Sequence, residues 1–285
     1  MIGIIGGSGL YQMQELKNTE ELKVNTPFGE PSDALILGEL SGVKVAFLAR
    51  HGRGHRILPS ELNFRANIAA LKIIGCQSII SISAVGSLKV EIEPGHLVII
   101  DQFIDRTFAR PATFFGNGIV AHVGFAHPIC ANLQKQLVQS GHTIGATVHD
   151  GGTYLCVEGP MFSTQAESQL YRQWGAAVIG MTNLQEAKLA REAQMCYATV
   201  ALSTDYDCWH EGHDTVTIEM IIDTLNKNIA TAQSLLKTVL PKINQGAPCK
   251  CRESLKNAII TDKTKIPPAT LERLRFMLPK EFLEG

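Results

Sequence analysis

The sequence predicts an α/β protein, because short apolar runs rich in valine and isoleucine alternate with segments of helical periodicity along its 285 residues. Several of these runs are continuous rather than alternating, which is typical of strands that a central sheet buries on both faces. The composition agrees with this class. With 45% hydrophobic and 19% charged residues, the chain has enough apolar material for a sizeable core, which excludes a disordered protein.

The apolar runs have the length and composition of β-strands. They lie at residues 2–5, 45–49, 78–83, 97–100, 120–123, 154–157, 177–179 and 197–203. The helical segments lie between them, at residues 64–74, 164–174, 183–194 and 217–239. Thr164 with Glu167 predicts a capping box at the second helix, and Asn183 with Glu186 predicts a similar box at the third.

The composition changes near residue 240, which suggests where the main domain ends. Residues 245–265 are mostly polar and contain Gly246 and Pro248, and a last short helix is predicted at 268–276. We therefore expect one domain over residues 1–240 and a C-terminal appendage, packed on it, over residues 241–285.

Charge and hydropathy argue against two classes of partner. The 26 basic and 27 acidic residues give a net charge of −1, so the chain has no excess of positive charge to neutralise the phosphates of a nucleic acid. No apolar run approaches the ~20 residues needed to span a bilayer. The start, MIGIIGGSGL, predicts a strand entering a glycine turn rather than a signal peptide, so we expect a cytoplasmic protein.

Polar residues and glycines follow several predicted strands and indicate an anion site. Ser8 lies in a glycine turn, Arg50 and His51 open a cluster of basic residues, and Ser83 lies among small residues. Thr182 precedes a predicted helix, whose N-terminus favours an anion. A plain turn, a solvated loop or simple capping explains each segment alone. Their convergence on strand ends favours a binding site.

Acidic and aromatic residues follow two other strands. Asp205 and Asp207 come after the strand at 197–203 and are candidates for acid/base or base-recognition groups. Glu158 could bind ribose hydroxyls or accept hydrogen bonds from loop N–H groups, and Phe162 could stack on a base or fill the core. We assign no metal ligands, because no histidine or cysteine set has ligand spacing around the two aspartates.

With these segments in view, the chain resembles the trimeric purine nucleoside phosphorylases, and among them the members that cleave 5′-methylthioadenosine. The resemblance covers nearly all of residues 1–240 and is weakest over 241–285. It is carried by GIIGGSGL (3–10), TPFGEPSDALILG (26–38), LARHGRGHRILPSELNFRANIAAL (48–71), SAVGSL (83–88), PGHLVIIDQFIDRT (94–107), VEGPMFST (157–164), GMTNLQEAKLAREA (180–193) and STDYDCW (203–209).

This resemblance implies a fold and a reaction. The fold would be a single α/β domain around a mixed, barrel-like central sheet flanked by helices, assembled as a trimer or a dimer of trimers. Phosphate would attack C1′ of 5′-methylthioadenosine, releasing adenine and 5-methylthioribose-1-phosphate. Inorganic phosphate would be the co-substrate, and neither a metal nor an organic cofactor would be required.

The resemblance also implies the role of individual residues. Phosphate would be held by Ser8, Arg50, His51, Ser83, Ala84 and Thr182. The catalytic residues that face N7 and the 6-amino group of the purine would be Asp205 and Asp207. The remaining substrate contacts would be Met181 at the ribose, Phe162 and Ser163 at the base, Val216, Ile218, Ile221 and Ile222 at the 5′ group, and His122 from a neighbouring subunit.

Three alternative functions stay open at this point. A related phosphorylase could act on inosine, guanosine, adenosine or methylthioinosine, although a carboxylate at position 205 suits a 6-amino group better than a 6-oxo group. A dinucleotide-binding oxidoreductase would need a further glycine after Gly9. A nucleoside-binding protein without catalytic activity would not need the whole phosphate set.

The seven cysteines allow two interpretations. Similar thermophilic enzymes carry a C-x-C in a C-terminal extension together with internal disulfides, which implies a redox-active pair of Cys249 and Cys251 and a bridge between Cys130 and Cys196. The other interpretation is free thiols, which agrees with the low charged fraction and the odd number of cysteines.

Overall fold

A mixed sheet organises the computed structural model, which describes residues 1–10, 12–210, 218–244 and 246–284. Within these ranges, the side chains of residues 8, 218–223 and 225 lie outside the description. Eleven described strands form the sheet. They are β1 Ile2–Gly6, β2 Lys17–Leu22, β3 Leu35–Leu40, β4 Val43–Ala49, β5 Ser78–Ser87, β6 Leu97–Ile99, β7 Gln102–Arg106, β8 Val148–Asp150, β9 Thr153–Val157, β10 Val178–Gly180 and β11 Cys196–Asp205.

Helices flank this sheet. They are α1 Phe64–Ile73, α2 Ala131–Thr143, α3 Gln165–Gln173, α4 Asn183–Glu192, α5 Ile218–Val239, α6 Pro268–Leu274 and α7 Lys280–Glu284. The predicted capping box of α3 is present, since the Thr164 side chain accepts from the Glu167 N–H and the Glu167 side chain accepts from the Thr164 N–H. Within the described ranges, no helix is both long and apolar enough to cross a membrane.

Strand β5 is the branch point of the sheet. One path runs β2-β3-β4-β1-β5-β10-β9-β7, and β11 pairs with the other edge of β5 and leads on to β6 and β8. Strands β4, β1, β5 and β11 are mutually parallel, whereas β10 runs antiparallel to β5. The carboxyl ends of four long strands therefore meet at one edge of the sheet, where open α/β folds bind their ligands.

Most of the predicted elements are present, and one strand prediction is wrong. The segment 120–123 forms only a single bridge, between Ala121 and Ile259, because its polar groups bond to the C-terminal segment instead of a sheet strand. Strands β2, β3, β7 and β8 and helices α2 and α7 were not predicted. The α/β class and the mixed sheet with flanking helices are confirmed.

The C-terminal segment shares the core of the sheet domain. Leu255, Leu274 and Met277 are buried in the same hydrophobic cluster as β1 and β5. The predicted last helix is present as α6, two residues shorter than expected. The boundary at residue 240 itself stays a prediction.

Candidate active site

A cavity of about 300 Å³ lies at the carboxyl ends of β1, β4, β5, β10 and β11. It brings together residues from seven separate stretches of sequence. Six lie in or just after the C-terminal parts of β1, β4, β5, β9, β10 and β11, and the seventh is Ile229 on α5. The sequence-predicted residues that line it are Arg50, His51, Ser83, Ala84, Phe162, Ser163, Met181, Thr182, Asp205 and Asp207.

The other predicted site residues do not belong to this described lining. Gly7 and Gly9 line the cavity on either side of Ser8, whose own side chain lies outside the description. Val216 and the side chains of Ile218, Ile221 and Ile222 also lie outside the described residues. His122 is exposed, and its N–H donates to the carbonyl of Ala258, away from the cavity lining.

Arg50 is a buried cation directly beneath the cavity. Its Nε donates to Glu186 at 2.6 Å, Nη2 donates to Ser81 at 2.6 Å, and Nη1 donates to the Ile82 carbonyl at 2.9 Å. The planar guanidinium fork, which can bind a phosphate through two N–H groups, is therefore occupied by the protein. Arg50 offers an anion its positive charge and the remaining N–H of Nη1, rather than a bidentate contact.

A buried polar network holds this arginine. Glu186 accepts hydrogen bonds from Arg50, from the Ser81 hydroxyl at 2.6 Å and from the Tyr197 hydroxyl at 3.0 Å. Burial alone would lower the pKa of Arg50, but the attraction of Glu186 raises it, so the guanidinium stays charged. A satisfied network of this kind fixes the cation in place.

The capping box predicted at Asn183 is wrong. Thr182 is the N-cap residue, and Asn183 occupies the first turn of α4 with its side chain buried. The Asn183 amide donates to Ser81 and the Thr199 hydroxyl, while Glu186 turns into the core towards Arg50. A buried cation competes for the glutamate more strongly than an exposed backbone N–H does.

Thr182 presents the N-terminus of α4 to the cavity. Its side chain is buried and, among the described residues, makes no hydrogen bond that caps the helix. Its hydroxyl is therefore available to a ligand. The free N–H groups and the dipole of the helix add to the attraction for an anion.

His51 lines the cavity as a neutral ring. Its Nδ1 lies 2.8 Å from the Ile57 carbonyl, which makes Nδ1–H the donor and leaves Nε2 as an acceptor. Burial, together with the charge of Arg50, lowers the pKa of His51 to about 4. The ring stacks on His55, with centroids 4.3 Å apart. At neutral pH, Nε2 of His51 can accept a hydrogen bond from a hydroxyl group, but the ring adds no charge.

The two aspartates form the acidic part of the cavity. Asp205 Oδ1 accepts the Asp207 N–H at 2.8 Å, and Oδ2 accepts the Thr204 hydroxyl at 2.7 Å. Asp207 Oδ2 accepts the Ser168 hydroxyl at 2.5 Å. Burial raises the pKa of both carboxyl groups, and the charge of Asp205 adds to the increase at Asp207. Such groups hold a proton more readily than free aspartate and can donate it.

Gly86 makes room for this pair. A Cβ atom at this position would stand 3.1 Å from Asp205 Oδ1 and 3.3 Å from the Asp207 Cβ. A larger residue would therefore press on the carboxyl group of Asp205, which would have to shift by a few tenths of an ångström.

Glu158 is a structural carboxylate, the second of its two predicted roles. It accepts the Phe108 N–H at 2.8 Å and pairs with Arg110 at 3.1 Å. Arg110 was not predicted. It is buried and also donates to the carbonyl of Met181 and to Gln185, so it joins the loop of Glu158 to the start of α4. Phe162 lines the cavity but is 59% exposed, which favours a ligand contact over core packing.

The mixed sheet and a cavity that sets a buried cation and a helix N-terminus beside two carboxyl groups are features of the nucleoside phosphorylase class. The model of the phosphorylase superfamily matches residues 1–241. The S-methyl-5′-thioadenosine phosphorylase of Geobacter sulfurreducens is 56% identical over 279 residues, which is 98% of each chain. The protein of the same name from Koribacter versatilis is 57% identical over 99% of this chain and 97% of its own.

Solved structures agree with these relatives. A methylthioadenosine phosphorylase from an antarctic soil metagenomic library is 48% identical, covers 98% of each chain and has a TM-score of 0.94. A mutant adenosine/methylthioadenosine phosphorylase of Schistosoma mansoni, solved with methylthioadenosine, is 35% identical over 90% of this chain and 95% of its own, with a TM-score of 0.83. This chain belongs to the phosphorylase superfamily and is a glycosyltransferase of the purine nucleoside phosphorylase type.

Proposed function

We propose that the chain catalyses phosphorolysis of 5′-methylthioadenosine to adenine and 5-methylthioribose-1-phosphate. One observation carries the proposal: a single cavity joins an anion-attracting set to two carboxyl groups of raised pKa. Phosphorolysis needs both, because it brings a phosphate to the sugar and a proton to the departing base. Inorganic phosphate is the co-substrate in this proposal, and no cofactor enters the chemistry.

The phosphate subsite in this proposal consists of Ser8, Arg50, His51, Ser83, Ala84 and Thr182. Arg50 supplies fixed charge, and the N-terminus of α4 supplies dipole and N–H groups. Neutral His51 accepts the hydrogen of the monoprotonated phosphate through Nε2. A dianion held here stabilises the positive charge that develops on the sugar as the glycosidic bond breaks.

The reaction exchanges one bond at C1′ for another. A phosphate oxygen forms a bond to C1′ while the C1′–N9 bond breaks, and its electron pair moves into the purine. Asp205 or Asp207 donates a proton to N7, so adenine leaves as a neutral molecule. The carboxyl group recovers a proton through solvent, and the net proton that adenine gains is the one that phosphate loses.

The acidic pair also favours adenine as the base. An ionised carboxylate accepts a hydrogen bond from an exocyclic amine, whereas a 6-oxo group would face it with a second acceptor. In the proposal Phe162 and Ser163 contact the base and Met181 contacts the ribose. Val216, Ile218, Ile221 and Ile222 give the 5′ group an apolar environment, which would leave the hydroxyl of adenosine without partners.

His122 gives a reason to propose a homo-oligomer. It is exposed and does not belong to the described cavity lining, and in this proposal it meets a 5′ group in the site of a neighbouring subunit. A closed ring, either a trimer or a dimer of trimers, supplies one such residue to every site. Sedimentation at assay concentration tests the assembly, and a fully active monomer would refute it. The cytoplasm stays our expectation for its location.

One assay tests the reaction. Purified enzyme is incubated with 5′-methylthioadenosine, adenosine or inosine, each with and without phosphate, and free base is measured. We expect phosphate-dependent release of adenine, fastest from 5′-methylthioadenosine. Release that does not depend on phosphate would refute phosphorolysis, and faster release from inosine would refute the assignment of the base.

A further inference from the structure

Four of the seven cysteines converge at the end of the sheet where β11 begins. Cys196 is the first residue of β11, Cys130 is the N-cap residue of α2, and Cys249 and Cys251 lie on either side of Lys250. Their four sulfur atoms all lie within 4.8 Å of one another, and those of Cys130 and Cys249 are 3.7 Å apart. All the cysteines are free thiols, so neither disulfide implied by the family resemblance is present here.

The spacing of these sulfurs matches tetrahedral coordination. Four thiolates at about 2.3 Å from a central ion lie ~3.8 Å from one another, because the tetrahedral angle fixes the ratio of the two distances. The observed cluster spans 3.7 Å to 4.8 Å, so it needs only a small contraction to reach that geometry. Three members are buried and Cys249 is half-buried, which shields a bound ion from solvent.

We propose that Cys130, Cys196, Cys249 and Cys251 form a structural Zn²⁺ site. Zn²⁺ favours four sulfur ligands in a closed tetrahedral set, and such a set leaves no open position for catalysis. Each thiol gives up its proton to solvent as it becomes a ligand, so the complete site carries a net charge of two minus.

The surroundings can balance that charge. A cavity of about 350 Å³ opens onto three of the cysteines and is also lined by Lys135 and Arg252. Lys72 lies close enough to Arg252 for the two positive charges to repel, which places a third cation in this region. The same cavity gives an ion a route from solvent to the sulfurs.

Cys130 is the N-cap residue of α2, a position where the helix dipole favours the thiolate that a metal needs. A cysteine at the N-terminus of a helix is stabilised as the anion for the same reason that other anions are.

The site would hold the C-terminal segment to the sheet. Cys130 and Cys196 belong to the α/β core, whereas Cys249 and Cys251 belong to the segment that follows α5. None of the four lines the catalytic cavity. Metal binding should therefore stabilise the fold without entering the chemistry.

Metal content and stability test the proposal on the full-length protein. The chain is purified without chelator or added reductant, dialysed against Zn²⁺ and then against buffer, and analysed by plasma mass spectrometry. We expect about one Zn²⁺ per chain, lost in Cys249→Ser and retained in Cys76→Ala, a control outside the cluster. Co²⁺ exchanged into the wild type should show the visible absorption of a tetrahedral thiolate complex.

Thiol counting separates the site from its alternatives. The protein is unfolded with chelator and alkylated without reductant, and the intact mass is measured. The proposal predicts alkylation of all seven cysteines, and a chelator should lower the unfolding temperature of the wild type but not of Cys249→Ser. Two fewer alkylated cysteines, the mark of a disulfide, would overturn it. Seven free thiols with no retained Zn²⁺ would overturn it equally.

Discussion

Replacing Asp205 by asparagine isolates the proton that we assign to the base. Asparagine has the same shape, and its Oδ1 still accepts the Asp207 N–H. In the wild type, the Thr204 hydroxyl donates to Asp205 Oδ2 at 2.7 Å. In the variant, the amide nitrogen that replaces Oδ2 donates to the Thr204 hydroxyl oxygen, and the hydroxyl donates instead to the Val85 carbonyl, 3.2 Å away. No hydrogen bond is lost in this arrangement, so the substitution removes the acid and little else.

The expected effects on stability and rate differ in size and in sign. Rearranged hydrogen bonds cost no more than about 1 kcal/mol. Burial raises the pKa of Asp205 in the folded state. The contribution of this carboxyl group to folding stability is therefore complete below the pKa of the unfolded state and is lost as the pH rises through the pKa of the folded state. Asparagine does not titrate, so the variant does not lose stability in this way at neutral pH. A general acid contributes roughly 100- to 10,000-fold, or about 3–5 kcal/mol, to the rate.

Three measurements on one variant test this reasoning. We expect Asp205→Asn to lower kcat for 5′-methylthioadenosine by at least about 100-fold, with the KM for phosphate within about twofold of the wild type. Its unfolding temperature at pH 7 should be equal or higher. Asp150→Asn, outside the cavity lining, serves as the control. Wild-type kcat in Asp205→Asn would refute the acid role of Asp205 and leave Asp207 as the proton donor. A fall in kcat together with a large fall in stability would show a structural role instead.

Three further predictions follow from the contacts. Arg50→Ala leaves Glu186 buried without its cation, so phosphate KM should rise at least about tenfold and the unfolding free energy should fall by about 3–5 kcal/mol; an equal rise in nucleoside KM would contradict a phosphate role. Because the pKa of His51 is lowered to about 4, the free energy of unfolding of the wild type should rise between pH 4 and pH 6.5. Urea unfolding at several pH values should show a smaller rise in His51→Gln, and an equal rise in both proteins would disprove this. Gly86→Ala should shift the carboxyl group of Asp205. We expect kcat to fall about tenfold and the free energy of unfolding to fall by about 1–3 kcal/mol, and an unchanged kcat would argue against the close fit.

The parts of the fold that the sequence predicts are those that burial dictates. Strands β1, β5 and β11 are buried along almost their whole length, so most of their residues are apolar or small and the runs are visible in the sequence. Strand β2, with the sequence KNTEEL, is almost fully exposed, so no apolar pattern marks it. Helix α2 was missed for a similar reason: its N-cap residue Cys130 makes no side-chain cap, and its mean composition is polar.

The site was predictable in its residue types but not in its hydrogen bonds. Arg50, Thr182 and Asp205 follow strands, and strand ends are visible in the sequence. Glu186 was assigned to a capping box because the spacing N-x-x-E is the same whether the glutamate turns back to the helix start or inward to a buried arginine. Arg110 bonds to residues 48 to 75 positions away, which no local pattern reveals.

A bulge at the end of the β5–β11 ladder sets the position of Asp205 on β11. Thr199 lies opposite Ser81 and Ser203 lies opposite Val85, so in a regular ladder Asp205 would oppose Ser87, on the face of the Arg50 network. The register shifts between Ser203 and Asp205, and Asp205 opposes Gly86 instead. This one-residue shift sets the carboxyl group of Asp205 beside Gly86, where a Cβ atom would stand only 3.1 Å from its Oδ1. The Arg50 network uses Ser81 and Thr199, an earlier pair of the same ladder, so the two strands carry the buried cation network and the acid at separate points of one cavity, and phosphorolysis needs both.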